Sequence, residues 1–342
     1  MIPDTITALA EHIETAGGTL FAVGGFVRDN LLGIKPKDID FVYIGISPDV
    51  FITLASRFGN VDTNITPSQI GAFVCALTTP DGQMFEFALA RSESSTGPRK
   101  GDVVVSPATD ITEDAMRRDV TLNAIFQNVL TGELCDPLNG IDDIRLRILR
   151  PTPFFHLSDE RVLRVAGMAA ILDFDIDPII VELSKTMRPQ SVKGDQNWRQ
   201  GWSKLGRAVA PHRFTAFLET VGWLPESLQG FDHNVLVGAK GLAEIFHRIL
   251  IAIGPDRFAN FVATIFAPKN IVSMAQNFGK PNHHTFKVIA GRIIMADQPG
   301  RKGGKWISDR IDQLFTDACQ RFDASMTEQQ MTDFIIGNKV GH

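Results

Sequence analysis

Residues 20–43, LFAVGGFVRDNLLGIKPKDIDFVY, decide the fold class of the amino-terminal part. Leu20–Val23 is apolar and β-prone and predicts a buried strand ending in Gly24-Gly25. The glycines pass directly into a helix start carrying Arg28 and Asp29, and Gly33 closes that helix. A second strand, over residues 38–45, opens with Asp38 and Asp40. Glycine lets a backbone approach a ligand closely, and the free N–H groups of a helix start suit phosphate. Two aspartates at i and i+2 of a strand point to the same side of a sheet. A phosphate cradle beside paired carboxylates is the equipment of metal-dependent nucleotidyl transfer, and Mg²⁺ is the cation such oxygens select.

Working outward, residues 4–16 have helical spacing, and Ser47-Pro48-Asp49 starts a helix running to about Phe58. Residues 71–77 and 83–90 predict two strands around a Pro80-Asp81-Gly82 turn. Residues 91–110 are rich in turn formers and predict a mobile loop with a short strand at 103–105. Thr112-Glu113-Asp114 is expected to cap one long helix, AMRRDVTLNAIFQN, followed by a strand at 133–136, a Gly140 turn and a short helix. From Ser158 onward the spacing is helical, with periods at 178–187, 202–221, 238–252, 255–265, 284–295 and 306–336. The fold class expected is α+β: a small mixed sheet with helices to about residue 150, then an all-helical remainder.

Length favours two or three domains over a single core of average size. A formal charge of −5 argues against a wholesale basic nucleic-acid binder, so any RNA contact rests on local patches. Cys75, Cys135 and Cys319 lie far apart, without zinc-site or disulfide-framework spacing, as in a reducing cytoplasm. The first residues lack the basic-then-apolar order of a signal peptide, and no apolar run reaches membrane-spanning length. A cytoplasmic protein with no membrane partner is expected.

Within the strand DIDFVYIG, Ile39, Phe41 and Tyr43 alternate with the acids, so one face is apolar and the other begins with Asp38 and Asp40. Alone, such a pair is more often a solvated strand end. The preceding GGFVRD block shifts the balance to metal binding, since close carboxylates repel unless a cation sits between them. Glu86, opposite Phe85, Phe87 and Leu89 in QMFEFALARSE, is the candidate third carboxylate if its strand neighbours that of the aspartates. On the expected helix, Asp119 and Asn123 share a face at i and i+4 and suit ribose hydroxyls, while Arg117 and Arg118 suit phosphate. Arg161 and Arg164 open the second half at i and i+3, able to reach back over a nucleotide. Each of these also has a bland reading as a solvated helix face. The basic residues further on are scattered among acids, and the His283-His284 pair lacks partners at metal spacing.

Together and in this order, these blocks resemble the class II tRNA nucleotidyltransferase and poly(A) polymerase family, which includes the CCA-adding enzymes. Gly24, Gly25, Val27, Arg28, Asp29, Asp38 and Asp40 match its GG-x-VRD…DxD signature. RRDVTLNAI is similar to its RRD-[FL]-T-[IM]-NA block, CDPLNGIDDIRLRILR to the next, and WSKLGRAVAPHRFTAFLETVGWLP to its neck motif. The resemblance implies a catalytic head (1–150), a neck that reads the incoming base (151–225) and a helical body and tail that hold RNA (226–342). It implies Mg²⁺ on Asp38 and Asp40, with Glu86 beside it to activate an RNA 3′-hydroxyl. It also implies nucleotide contacts from Gly24, Gly25, Arg28, Arg118, Asp119, Asn123, Arg161 and Arg164.

The expected activity is template-independent addition of C and A, or A alone, from CTP and ATP to the 3′ end of tRNA or another RNA, releasing pyrophosphate. A poly(A) polymerase or relaxed terminal adenylyltransferase is the alternative, and an RNA-binding relic the third, which intact Asp38, Asp40 and Arg118 disfavour. The sequence departs from the family in its base-reading pattern E-D-x-x-R-x-x-R-x-x-R-F. Leu157 and Ser158 stand at the acidic pair and Gly167 at the last arginine. Asp159 is one residue late, a rotation of ~100° on a helix.

Overall fold

The computed structural model describes residues 2–64, 72–95, 103–187, 196–265 and Gln330. Helix α1 (Asp4–Thr15) leads into β1 (Thr19–Val23), α2 (Gly25–Leu31), β2 (Asp40–Ile44), α3 (Pro48–Ala55), β3 (Asn60–Asp62), β4 (Val74–Thr78) and β5 (Met84–Leu89). Next come β6 (Arg91–Ser95), β7 (Val103–Pro107), α4 (Ile111–Met116), β8 (Phe126–Asn128), β9 (Leu134–Cys135), α5 (Gly140–Leu146) and β10 (Ile148–Leu149). The helical part has α6 (Glu160–Leu172), β11 (Asp175–Ile176), α7 (Pro178–Thr186), α8 (Gln196–Lys204), α9 (Pro211–Thr220), α10 (Gly241–Ile253) and α11 (Pro255–Ile265). The α+β expectation holds.

Seven of the described strands form one mixed sheet in the order β3-β4-β5-β2-β1-β8-β9. Within this sheet only β2 and β5 run parallel, because α3, β3 and β4 lie between them in the chain. That crossover sets Asp40 directly beside Glu86 in register, while Val23, the residue before the two glycines, pairs Asp40 from the other side. The strand carrying the first candidate acid is thus flanked by the glycine turn and by the third carboxylate.

Both faces of β2 are covered. On one, Tyr43 stacks on Phe51 of α3 at 4.2 Å, and Phe41 stacks on Phe87 at 5.1 Å. On the other, Val42 joins Val23, Ala115, Ala124 and Phe126. Fully burying an aromatic or aliphatic side chain of this size is worth about 1.5–3 kcal/mol, so the strand is pinned from two sides.

Five expectations need correction. The segment 91–110 is a paired hairpin around residues outside the described set: β6 and β7 are antiparallel with Glu93 opposite Val105. The β-branched Val103, Val104 and Val105 favour extension, and the inward Glu93 finds three arginines, Arg91, Arg117 and Arg161. The helix expected over 115–128 ends at Met116. Its N-cap is Asp110, whose side chain accepts from the Thr112 N–H, not Thr112 itself. Beyond Met116, the Asp119 carboxylate accepts from the next residue's N–H, Val120 bridges to Pro151, and Thr121–Asn123 forms a 3₁₀ turn before β8. Side-chain capture of a neighbouring N–H competes with helix hydrogen bonding, and the β-branched Val120 and Thr121 weaken it further.

The expected helix over 202–221 is split, because Pro211 starts α9 and cannot continue α8. Finally, Asp38 precedes β2 and is not part of the strand. The helices expected at 284–295 and 306–336, the His283-His284 pair and Cys319 lie outside the described residues. Among the described residues no helix is long and apolar enough to cross a membrane.

The chain divides into two compact units. The first comprises Met1–Ser191, Gln196–Leu224 and Asp232–Leu242. In it α6 packs against α8 and α9; Ala166, Ala169 and Ala170 on α6 are buried, and Trp202 of α8 meets Phe214 of α9 edge-on at 4.9 Å. The second comprises Val192–Asp195, Pro225–Phe231 and Ala243–His342. In it Phe246, Phe258 and Phe261 cluster, and Arg257 donates to the carbonyls of Ser227 and Gln229.

One backbone contact in the first unit is intolerant of any side chain. A Cβ on Gly140, at the start of α5, would stand 2.4 Å from the Thr121 carbonyl oxygen. Gly140→Ala is therefore expected to lower the melting temperature measurably, by the few degrees that about 1–3 kcal/mol of overpacking represents in a domain of this size, read by thermal unfolding.

Candidate active site

Asp38, Asp40 and Glu86 line one depression of about 440 Å³, together with Lys37, Gln83 and Phe85. Asp38 is 70 % exposed and 3.7 Å from Lys37. Asp40 lies at the start of β2 and its carboxyl is raised above the usual range, first by burial, then by the charges of Asp38 and Glu86. Arg118 and Arg164 oppose that shift without cancelling it. Carboxylates gathered against mutual repulsion invite a cation.

Among the described residues no three His, Cys, Asp or Glu side chains are grouped at metal-ligand spacing. Asp38 and Asp40 therefore offer a two-carboxylate seat, which fits Mg²⁺: this ion is usually held by one or two carboxylates plus substrate phosphates, not by an all-protein cage.

Gly24 connects this seat to the cations. Its φ of 72° lies in the left-handed region, where a side chain is strained. A Cβ there would also point into the gap between the Asp40 carboxylate and the Arg118 guanidinium, 3.9 Å from each. Gly24→Ala is expected to cost about 1–2 kcal/mol of stability and to weaken triphosphate binding, measured by equilibrium dialysis of a nucleoside triphosphate.

The arginines are held by acids that do not line the carboxylate depression. Asp114 is wholly buried; Arg117 donates to one of its oxygens at 2.5 Å and Arg118 to the other at 2.7 Å. Burial would push the Asp114 carboxyl up, but the two arginines outweigh it and hold it below the usual value. Arg118 also lies over the Phe126 ring at 5.0 Å, so its direction is fixed by the carboxylate and the ring together. Arg28 is clamped between Asp29 at 2.6 Å and the Asn123 side-chain oxygen at 2.7 Å. The Asn123 amide in turn donates to Asp119 at 3.0 Å and to the Met168 sulfur at 3.2 Å. Asp119 and Asn123 are thus brought together, though by a bend and a 3₁₀ turn and not by a helix face.

The remaining two arginines separate. Arg164 is 53 % exposed and donates through Nε to Asp119 at 2.7 Å. Burial acts to raise the Asp119 carboxyl, but Arg164 and then Asn123 hold it far below the usual carboxylate range. Arg161, by contrast, turns inward: it donates to the carbonyls of Phe154 and Arg117 and approaches Glu93 at 3.4 Å. Its donors are spent on the junction between the β6–β7 hairpin and α6. Sequence reasoning missed Glu93, Asp114 and Met168. For Asp114 a signal existed, since it stands three and four residues before Arg117 and Arg118, the spacing of helix ion pairs.

Residues 20–150 match the family described as the poly(A) polymerase head domain. The chain is 30 % identical over 326 residues to the multifunctional CCA protein of Paracidovorax citrulli, covering 92 % of this chain and 72 % of that one. It is 34 % identical over 208 residues to the multifunctional CCA protein of Pseudomonas fluorescens, 59 % of this chain and 48 % of that one. It is 33 % identical to the CCA-adding enzyme of Actinobacillus succinogenes, across 59 % and 49 % of the two chains. The chain thus spans about half the length of these last two relatives. In fold it is similar to a CCA-adding enzyme in an apo form, with TM-score 0.58 at 16 % identity over 98 % of this chain and 96 % of that one. It is also similar to the Thermotoga maritima CCA-adding enzyme complexed with tRNA, with TM-score 0.55 at 15 % identity over 98 % and 95 %.

Proposed function

We propose, because this chain belongs to the class II CCA-adding enzyme family, that it adds C and A from CTP and ATP to the 3′ ends of tRNA without a template. The observation that carries this reading is the convergence of Asp38, Asp40 and Glu86 on one depression that the Gly24 turn joins to Arg118. The division into a head to residue 150, a neck to 225 and a body and tail beyond belongs to the same proposal, as does a cytoplasmic setting, in keeping with the free Cys75 and Cys135 thiols.

Gly24 leaves the backbone bare where a triphosphate lies, and Arg118, locked by Asp114, presents its outer nitrogen to the phosphates. Arg28, locked by Asp29 and Asn123, adds a second fixed positive charge. Preorganised charge of this kind stabilises the transition state because nothing has to reorient as pyrophosphate leaves. Asp38 and Asp40 would hold Mg²⁺, which when bound would supply Lewis-acid polarisation of the reacting phosphate and charge neutralisation. Glu86, beside Asp40 on the parallel strand, takes the proton of the attacking 3′-hydroxyl.

The test is incubation of the purified protein with ATP, CTP, Mg²⁺ and tRNAs ending one, two or three residues short of CCA. Extension to the full end is expected, and an Asp38→Ala, Asp40→Ala protein that extends equally well overturns the reading. Ser158 and Gly167 motivate one rival, a polymerase of A alone; a long ladder of products with ATP alone identifies it.

A further inference from the structure

Helix α8 and the 3₁₀ turn that follows it, Leu205–Arg207, sort their side chains by face. Trp198, Trp202 and Leu205, at i, i+4 and i+7, are buried. Trp198 stacks on Trp223 at 6.3 Å, and a Cβ on Gly201 would stand 3.7 Å from Leu163 of α6, so the helix is closely seated. Arg199, Ser203 and Arg207, at i, i+4 and i+8, fall on another side, with Lys204 beside them. Together with Gln200 and Lys37 they line a groove of about 800 Å³.

Among the described residues no acid lines this groove, and Arg199, Lys204 and Arg207 have no ion-pair partner. The Arg199 Nε is buried without a hydrogen-bond acceptor. The Lys204 ammonium is held below its usual value, first by burial and then by the Arg164 charge; Arg207 and Lys37 add to the shift, and Asp119 opposes it. Lysines and arginines thus crowd one another in a chain whose formal charge is −5. Like charges gathered without counter-charge are the mirror image of the carboxylates around Asp40, and they favour an anion.

Position says which anion. Lys37 lines both this groove and the depression that holds Asp38, Asp40 and Glu86. A polyanion with its end at Glu86 continues past Lys37 into the groove. The lining there is cations, an amide and a hydroxyl, with no aromatic or aliphatic platform. Such a surface can follow a backbone and carries no means of reading a base. That indifference suits a strand whose last residue changes with every addition.

We infer that this groove grips the phosphodiester backbone of the unpaired 3′ strand of the acceptor RNA, with Arg199, Lys204 and Arg207 neutralising its phosphates and Lys37 at the turn into the carboxylate depression. The inference rests on the nucleotidyltransferase reading and adds where, on the first unit, the RNA end is held. The buried tryptophans fix α8 before RNA arrives, so little backbone order is lost on binding.

The test is binding of fluorescently labelled tRNA to the full chain, without nucleotide, over a series of salt concentrations. One RNA carries its unpaired 3′ end and the other is trimmed to its last base pair. Each phosphate contact on a single strand contributes about 0.7 to the slope of log K against log salt, which is about fivefold in affinity at ~0.1 M. Arg207→Gln, at an exposed position, and Lys204→Gln are each expected to lose about that much slope and affinity for the untrimmed RNA. Affinity for the trimmed RNA, for CTP and for ATP stays as it was, and the melting temperature does not fall. Arg207→Lys restores binding, because neutralising a phosphate needs the charge. In transfer assays KM for tRNA rises while KM for CTP and ATP holds.

The inference is overturned if the Lys204→Gln, Arg207→Gln protein keeps its affinity and salt slope for the untrimmed RNA. It is overturned equally if the trimmed RNA weakens in parallel, which places a duplex in the groove, or if CTP and ATP affinity falls instead. An unaltered protein that binds neither RNA also sinks it. If the unaltered protein binds RNA but transfers no nucleotide, the function reading falls alone, and the salt slopes still decide the groove.

Discussion

Asp40→Asn loses nucleotide transfer by about a thousandfold or more, the loss expected when charge stabilisation at a reacting phosphate is removed. The substitution keeps the shape of the side chain and its place at the start of β2, so pairing with Val23 and Glu86 is retained. Stability moves in the other direction. A carboxyl whose folded value is raised binds more protons in the folded than in the unfolded chain, so the fold loses stability as pH rises through the window above about pH 4. Burial and the crowding by Asp38 and Glu86 put Asp40 in that class. In metal-free buffer at neutral pH, Asp40→Asn is therefore expected to melt no lower than the unaltered protein. Paired kinetic and unfolding measurements decide: retained transfer, or a large drop in melting temperature, contradicts the placement of Asp40 at the reacting phosphate.

Asp114→Ala has the largest expected effect on stability. It leaves Arg117 and Arg118, both largely buried, without the carboxylate that holds each of them. Removing one partner of a buried ion pair costs about 3–5 kcal/mol, which corresponds to roughly 10 °C in melting temperature for a unit of this size. The sign with pH is opposite to that of Asp40. Arg117 and Arg118 hold the Asp114 carboxyl below its unfolded value, so its contribution is fully present above about pH 4 and is lost as pH falls toward the depressed folded value. The gap between the unaltered protein and Asp114→Ala should thus be full at neutral pH and narrow in acid; thermal unfolding at pH 7 and below pH 4 reads both. A variant that melts normally but transfers slowly would instead place Asp114 in orientation of Arg118 alone.

Much of the head was legible because its signals are local. Strand alternation, the glycine pair, Ser47-Pro48 at the start of α3 and the Pro80-Asp81-Gly82 turn each act over a few residues. The failures share a cause. Residues 115–128 have helical spacing, yet Asp119 spends its carboxylate on the Val120 N–H, and Val120 pairs with Pro151, thirty-one residues away in the chain. Glu93 looked like a loop residue because the arginines that make it an inward-facing strand residue come from three separate places, Arg91, Arg117 and Arg161.

The sequence by itself nominated the proposed chemistry. Gly24, Asp38, Asp40, Arg118 and Asn123 are specific residue types at fixed spacing, and phosphate and metal coordination demand those types wherever the chain folds. The tertiary structure alone decided which arginine is committed to the main chain and which is left at the surface. Arg161 and Arg164 are three residues apart on one helix and indistinguishable by spacing. Arg161 meets main-chain carbonyls and Glu93 at a buried junction, whereas Arg164 meets Asp119 at the edge of a pocket. That difference is made by elements distant in sequence, packed against α6 by burial of apolar surface, and no local pattern encodes it.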